Sequence, residues 1–356
     1  MKKLLALVLV LALALPLAGL AADYDIAMIT DIGTIDDKSF NQGTWEGVVE
    51  YAKANDKTYI YYQPTAQSTE IYLDMIEQAV NDGAKIIVTP GFLFEQPIFE
   101  AQDLYPNVHF VLIDGNPNDG DWSKEGGPEF RTEANAVGIV YAEEQAGFLA
   151  GYAAVKDGYT KLGFMGGMAV PAVIRFGYGF AQGIEYAAEE MGLKDLALNY
   201  HYTGGFAATP EAQALAASWY ADGVEVIFAC GGAVGDSVMA AAEAAGAKVI
   251  GVDVDQSSQS ETVITSAAKG LAASVIAVLD AYYQGEFPAG QALVMDAAAD
   301  GVELPMATSR FKTFSQADYD AIFAKLVAGE VKLLKDSDVK SVAEIPLKLV
   351  AVTEIQ

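Results

Sequence analysis

"ITDIGTIDDKSFNQGTWEGV", Ile29 to Val48, carries the end of an apolar strand into the start of a helix. The strand closes on Asp31, a turn follows at Gly33 and Thr34, and the adjacent acids Asp36 and Asp37 precede Ser-Phe-Asn-Gln, where helical spacing begins. A strand–turn–helix unit of this kind opens a parallel α/β fold, and its turn faces the crevice in which such folds bind ligands. Acids, an aromatic ring (Phe40) and an amide (Asn41) at that mouth suit either of two chemistries. One is a metal cage for catalysis; the other is a cradle for a flat, polyhydroxylated ligand.

Outward from this stretch the same alternation repeats. "YDIAMIT", "TYIYYQ", "AKIIVTP" and "VHFVLID" read as strands of a buried parallel sheet, too apolar to be one-sided. Between them "SFNQGTWEGVVEYAKAND", "TEIYLDMIEQAVNDG" and "FEQPIFEAQDLYP" carry helical spacing. The series then restarts with "KLGFMGG", "LALNYHY", "VEVIFACGG" and "AKVIGVDVDQ", separated by three further helical runs. "EANAVGIVYAEEQAGFLAGYAAVKDG" links the two series, as a strand that passes into an Ala-Gly-rich helix. The expectation is an α/β protein of two doubly wound parallel-sheet lobes with a cleft between them.

Composition narrows the function. The first 21 residues, a lysine pair followed by a Leu-Val-Ala run and small residues, read as a secretory signal peptide. Without Lys2 and Lys3 the chain keeps 19 basic against 48 acidic residues, or −29. Such a surface repels nucleic acid and anionic lipid. The lone cysteine, Cys230, ends an apolar run and reads as a small buried hydrophobe. It is far from the leader and cannot be a lipid attachment site there, so any anchor is of another kind.

At the strand ends stand Asp31, Asp37, Asp114, Gly166-Gly167, Gly205-Phe206, Gly231-Gly232 and Asp253, while "VITSAAKG" reads as placing Ser266 and Lys269 at a helix start. "TDIGTIDD" partly resembles the calcium-binding start of nucleoside hydrolases. It lacks the first aspartate, and its acids stand in a shifted register, which takes ligands from an ion that wants six to eight oxygens. His109 and His201 fall within apolar strands, and no serine has a partnered base nearby. The glycines of "GYGFAQG" are off the dinucleotide spacing and suit tight helix packing instead. Phe40 and Phe206, from different lobes, would sandwich a base, while carboxylates accept from ring N–H and sugar hydroxyl groups. Each residue also has an ordinary use: Phe40 as core, Asp37 as a helix cap, Asn41 as a first-turn residue, Asp114 in a turn, Asp253 at a hinge.

These motifs, with "FVLIDG", "YAEEQAGFLAGYAA", "GFMGGMAVPAVIRFGYGFAQGIEYA" and "GVDVDQ", resemble the basic membrane protein (Bmp/PnrA-like) family of ABC-importer substrate-binding proteins, which includes purine nucleoside receptors. The resemblance implies a type I periplasmic-binding-protein fold, exported and monomeric, with three crossovers. Lobe one would comprise residues 22–137 plus about 267–305, and lobe two 138–266 plus about 306–356. It implies a nucleoside held by Phe40 and Phe206, Asp37 on the base with Asn41 beside it, and Asp114, Asp253, Gly232 and Lys269 around the ribose. The partners implied are a nucleoside and an importer permease; no cofactor and no metal are implied. Many members carry a lipobox cysteine that is absent here, and "AATP" follows Phe206 where an acid is common. The alternatives are a receptor for a sugar or a flavin-like heterocycle, a calcium-dependent nucleoside hydrolase, and a sensor without transport.

Overall fold

The computed structural model describes residues 23–355. The expected leader, residues 1–21, lies outside them. Two sheets organise the chain. The first has the order β11–β5–β4–β3–β1–β2 and is parallel throughout. Its strands are β1 (Ile26–Ile29), β2 (Tyr59–Tyr62), β3 (Ile86–Pro90), β4 (His109–Ile113), β5 (Ala136–Tyr141) and β11 (Gln291–Met295). The second has the order β12–β10–β9–β8–β6–β7–β13, parallel except where β12 runs against β10. It is built from β6 (Lys161–Gly166), β7 (Leu196–Tyr202), β8 (Val226–Cys230), β9 (Lys248–Asp253), β10 (Val263–Lys269), β12 (Val302–Glu303) and β13 (Val350–Glu354).

Central strands are buried on both faces, as β1, β3 and β10 are from end to end. This is why they read as unbroken apolar runs rather than as an alternation. β1 lies between β2 and β3, and β6 between β7 and β8, so the chain winds both ways from each. The crevice at such a reversal, beyond the carboxyl ends of the strands, is where doubly wound folds take ligands.

The helices in chain order are α1 (Phe40–Ala54), α2 (Thr69–Asn81), α3 (Glu95–Leu104), α4 (Glu143–Lys156), α5 (Pro171–Met191), α6 (Pro210–Ala221), α7 (Val234–Ala245), α8 (Leu271–Gln284) and α9 (Gln316–Val327). α4 and α5 pack backbone to backbone. A Cβ on Gly179 would lie 2.0 Å from the Glu144 carbonyl oxygen, and one on Gly147 2.1 Å from that of Phe176. Gly179 and Gly183 of "GYGFAQG" therefore serve helix packing, while Gly177 makes room for the Tyr200 side chain of β7.

The crossovers differ by a few residues from the expected ones. β5 belongs wholly to the first sheet, so the chain leaves that lobe at Ala142 rather than after residue 137. β10 belongs wholly to the second, which puts the return at Gly270 rather than near 267. β12 is already back in the second sheet at residue 302, ahead of the expected 305. Apolar runs mark where strands are, but the hydrogen-bonding neighbour decides which sheet each joins. The three crossings are stitched together: Ala142 N donates to Met295 O at 3.1 Å, and Gly270 N to Gly301 O at 2.9 Å.

Candidate ligand-binding site

A cavity of about 630 Å³ lies between the lobes, within the usual range for small-molecule sites. All eight expected residues line it: Asp37, Phe40, Asn41, Asp114, Phe206, Gly232, Asp253 and Lys269. Phe40 is the first residue of α1, half-buried, with the Lys269 ammonium 5.0 Å from its ring centroid. Phe206 follows β7 from the other lobe. A Cβ on Gly167 would meet its ring at 2.5 Å, so the ring rests on the Gly167 backbone. Gly232 has φ +55°, a left-handed conformation that suits glycine, and it brings bare backbone to the cavity wall.

The acids divide their work in a way that the spacing does not disclose. Asp37 accepts four hydrogen bonds, from the backbone N–H groups of Ser39, Asn41 and Gln42 at 2.9, 3.0 and 3.1 Å and from Asn41 Nδ2 at 3.0 Å. It therefore caps α1, whose first N–H groups have no carbonyl partner within the helix. Asn41 also donates to Asp31 Oδ1 at 2.9 Å. Asp31 takes a second bond there from Gly33 N at 2.7 Å, while among the described residues its Oδ2 has no hydrogen-bond partner. Burial pushes the Asp31 carboxyl up to about 6, against the pull of its hydrogen bonds to Gly33 and Asn41. At this end of the cavity Asp31 has a free acceptor, and Asp37 has little left to offer a ligand.

Elsewhere in the wall Lys269 sits among three carboxyl groups. Its ammonium binds Asp114 Oδ2, lies 3.3 Å from Glu143 Oε1 and 3.7 Å from Asp253 Oδ1, and its side chain is 2% exposed. Burial opposes its charge, but the three acids outweigh burial and hold the lysine above its ordinary range. Burial raises Glu143 and Asp253, with Lys269 only partly offsetting it. Asp114 and Asp253 have φ +60° and +66°, a conformation rare outside glycine that turns both side chains to the lysine. Arg175 completes the wall, gripped by Asp336 through Nε and Nη2 at 2.7 and 3.2 Å.

Glu143 and Arg175 were not among the expected site residues. The acid pair of "YAEEQ" was visible in the sequence, but nothing local shows that Glu143 faces the lysine. The cavity counts seven carboxyl groups (Asp31, Asp36, Asp37, Asp114, Glu143, Asp236 and Asp253) against Lys269 and Arg175. Asp36 is engaged by Thr34 Oγ1 at 2.5 Å and Asp37 by its helix, so these two of the hydrolase-like acids are turned to local work. Among the described residues no group of three or more His, Cys, Asp or Glu is arranged to hold a metal ion. No helix there is long and apolar enough to cross a membrane.

The solved structure of an ABC transporter solute-binding protein from Aeropyrum pernix K1 is similar in fold (TM-score 0.76, 21% identity, 90% of this chain and 96% of that one). Another, from Conexibacter woesei DSM 14684, has a TM-score of 0.68 at 24% identity and covers 87% and 99%. In sequence, the ABC transporter nucleoside-binding protein BmpA of Lactococcus lactis subsp. cremoris (strain MG1363) is 28% identical, over 85% of this chain and 88% of its own. Basic membrane protein A of Borreliella burgdorferi (strain ATCC 35210 / DSM 4680 / CIP 102532 / B31) is 31% identical over 68% of each. Residues 25–336 match the family described as ABC transporter substrate-binding protein PnrA-like, and the chain belongs to that Bmp family of substrate-binding proteins.

Proposed function

We propose that the protein captures a nucleoside, with a purine as its base, outside the cytoplasmic membrane and presents it to the permease of an ABC importer. The observation that carries this reading is a phenylalanine from each lobe lining one cavity whose wall also holds a lysine ringed by acids. The base lies between Phe40 and Phe206, with its polar edge toward Asp31 Oδ2, which Asn41 helps to hold in place. The ribose hydroxyls meet Asp114, Asp253 and Lys269. Phosphate is excluded by the excess of carboxylates, so the free nucleoside and not the nucleotide is the ligand. No bond is made or broken; contacts available only when both lobes meet the ligand favour the closed form. The name of the Lactococcus relative supports a nucleoside, and the leader-like start supports export. We take the protein to act as a monomer.

Calorimetry with inosine, guanosine, adenosine, inosine monophosphate, free hypoxanthine and ribose tests this. Micromolar binding of a purine nucleoside needs about −8 kcal/mol, within reach of one stacked base and a few charge-assisted hydrogen bonds. Phe206→Ala should weaken it by about 1–3 kcal/mol, the worth of stacking one base. Equal binding of nucleoside and monophosphate, or no effect of Phe206→Ala, ends the reading. The cavity's size also admits a larger flat heterocycle, so riboflavin belongs in the panel.

A further inference from the structure

Three residues outside the cavity wall join the lobes. Lys38, two residues before the start of α1, adopts φ +56°, a left-handed conformation that a lysine seldom takes. Its carbonyl accepts a hydrogen bond from Gln256 Nε2 of the other lobe at 2.9 Å. Ser39, next in the chain, donates through Oγ to Asp253 Oδ2 at 2.6 Å. The approach is close: a Cβ on Gly43, in the first turn of α1, would fall 2.7 Å from Val254 Cγ1.

Gln256 is built for the reach. It is 2% exposed, and its own N–H donates to Ser266 Oγ at 3.0 Å. Its Oε1 accepts from Val252 N at 3.0 Å. A backbone N–H must be met by an oxygen, so that bond fixes which way the amide points and turns its N–H₂ toward Lys38. Lys38, Ser39 and Gln256 do not line the cavity, whereas Asp37, Phe40 and Asp253, their neighbours in sequence or in hydrogen bonding, do.

We propose that Gln256 is a positioning residue for ligand capture: its amide clasps the Lys38 carbonyl across the lobe boundary and sets the balance between open and closed forms without touching the ligand. By holding the turn before α1 it also fixes where Phe40 stands relative to the second lobe. Apparent affinity scales with the fraction of molecules in the binding-competent form, so loss of the clasp weakens every ligand by the same factor. The ammonium of Lys38 contributes little, because its 3.9 Å pairing with Asp236 is between half-exposed groups. The affinity readout rests on the nucleoside reading; the distance readout does not.

The test uses the mature protein with spin labels at Glu77 and Ala217, exposed positions on the first and second lobes. Gln256→Glu keeps an oxygen for Val252 N and loses the donor to Lys38. Gln256→Met removes both. Lys38→Gly keeps the carbonyl in a backbone conformation natural to glycine. Inter-label distances without ligand should shift toward the open form in both Gln256 variants and stay as in wild type for Lys38→Gly. Affinities for inosine, guanosine and adenosine should fall together, by about 3- to 10-fold, the worth of one lost hydrogen bond. Unchanged distances in the Gln256 variants overturn the proposal, as does a loss confined to one nucleoside. If wild type binds no nucleoside while the distances still shift, the nucleoside reading falls and the clasp stands.

Discussion

Lys269→Met removes the one ammonium, among the described residues, from a site where Asp114, Glu143 and Asp253 converge, with Glu143 at 3.3 Å and Asp253 at 3.7 Å. Methionine fills a similar volume, so the effect is electrostatic. Deleting one partner of a buried ion pair costs about 3–5 kcal/mol, because the remaining charge is buried without compensation. The acids can escape part of this cost by taking up protons, which makes it pH-dependent. A carboxyl whose pKa is raised on folding binds its proton more tightly in the native state. Its stabilising effect is then complete below the unfolded value of about 4 and is lost as pH rises toward the folded value. Each such group lowers stability by about 1 kcal/mol per pH unit between its unfolded and its folded value. In the wild type burial raises Glu143 and Asp253 against the opposing charge of Lys269; without the lysine, at least one further acid gains such a slope. Urea unfolding should therefore give a loss of about 4 kcal/mol at pH 8 and a clearly smaller one at pH 5.5. A loss under about 1 kcal/mol at pH 8, or one equal at the two pH values, would refute the reasoning.

Asp31, pushed up to about 6, should make nucleoside affinity fall as pH drops through that value, since the protonated oxygen no longer accepts from the base. Calorimetry with inosine at pH 5 and pH 7.5 should differ by about tenfold in the wild type and much less in Asp31→Asn, the direction expected when a carboxylate acceptor is lost. Gly179→Ala drives a Cβ to 2.0 Å from the Glu144 carbonyl and should cost about 1–3 kcal/mol, read as a fall of several degrees in thermal midpoint. A midpoint equal to wild type would mean that α4 and α5 are not held at that separation.

Much of the fold was open to inspection because period and punctuation are local. "YDIAMIT" and "VHFVLID" are strands because runs of apolar residues of that length suit a sheet covered on both faces. The helix from Phe40 follows from its apolar spacing and from acids placed just ahead of it. Where the chain crosses between lobes was less legible, since β5 and β10 have the same local pattern whichever sheet they join.

The site divides along the same line. Sequence by itself determined most of its inventory: two phenylalanines, a set of acids, a lysine and glycines, in or near the turns where a doubly wound fold exposes them, but not Glu143 or Arg175. Only the tertiary structure decided their tasks. Asp31 and Asp37 stand in one short stretch, yet one turns a free oxygen to the cavity and the other spends both on the N–H groups of its helix. Ser39 meets Asp253 across 214 positions and Gln256 meets Lys38 across 218. Burial, proximity of charge and hydrogen bonding set what a carboxyl or an amide does, and the packing of two lobes supplies all three, which residue order along the chain does not.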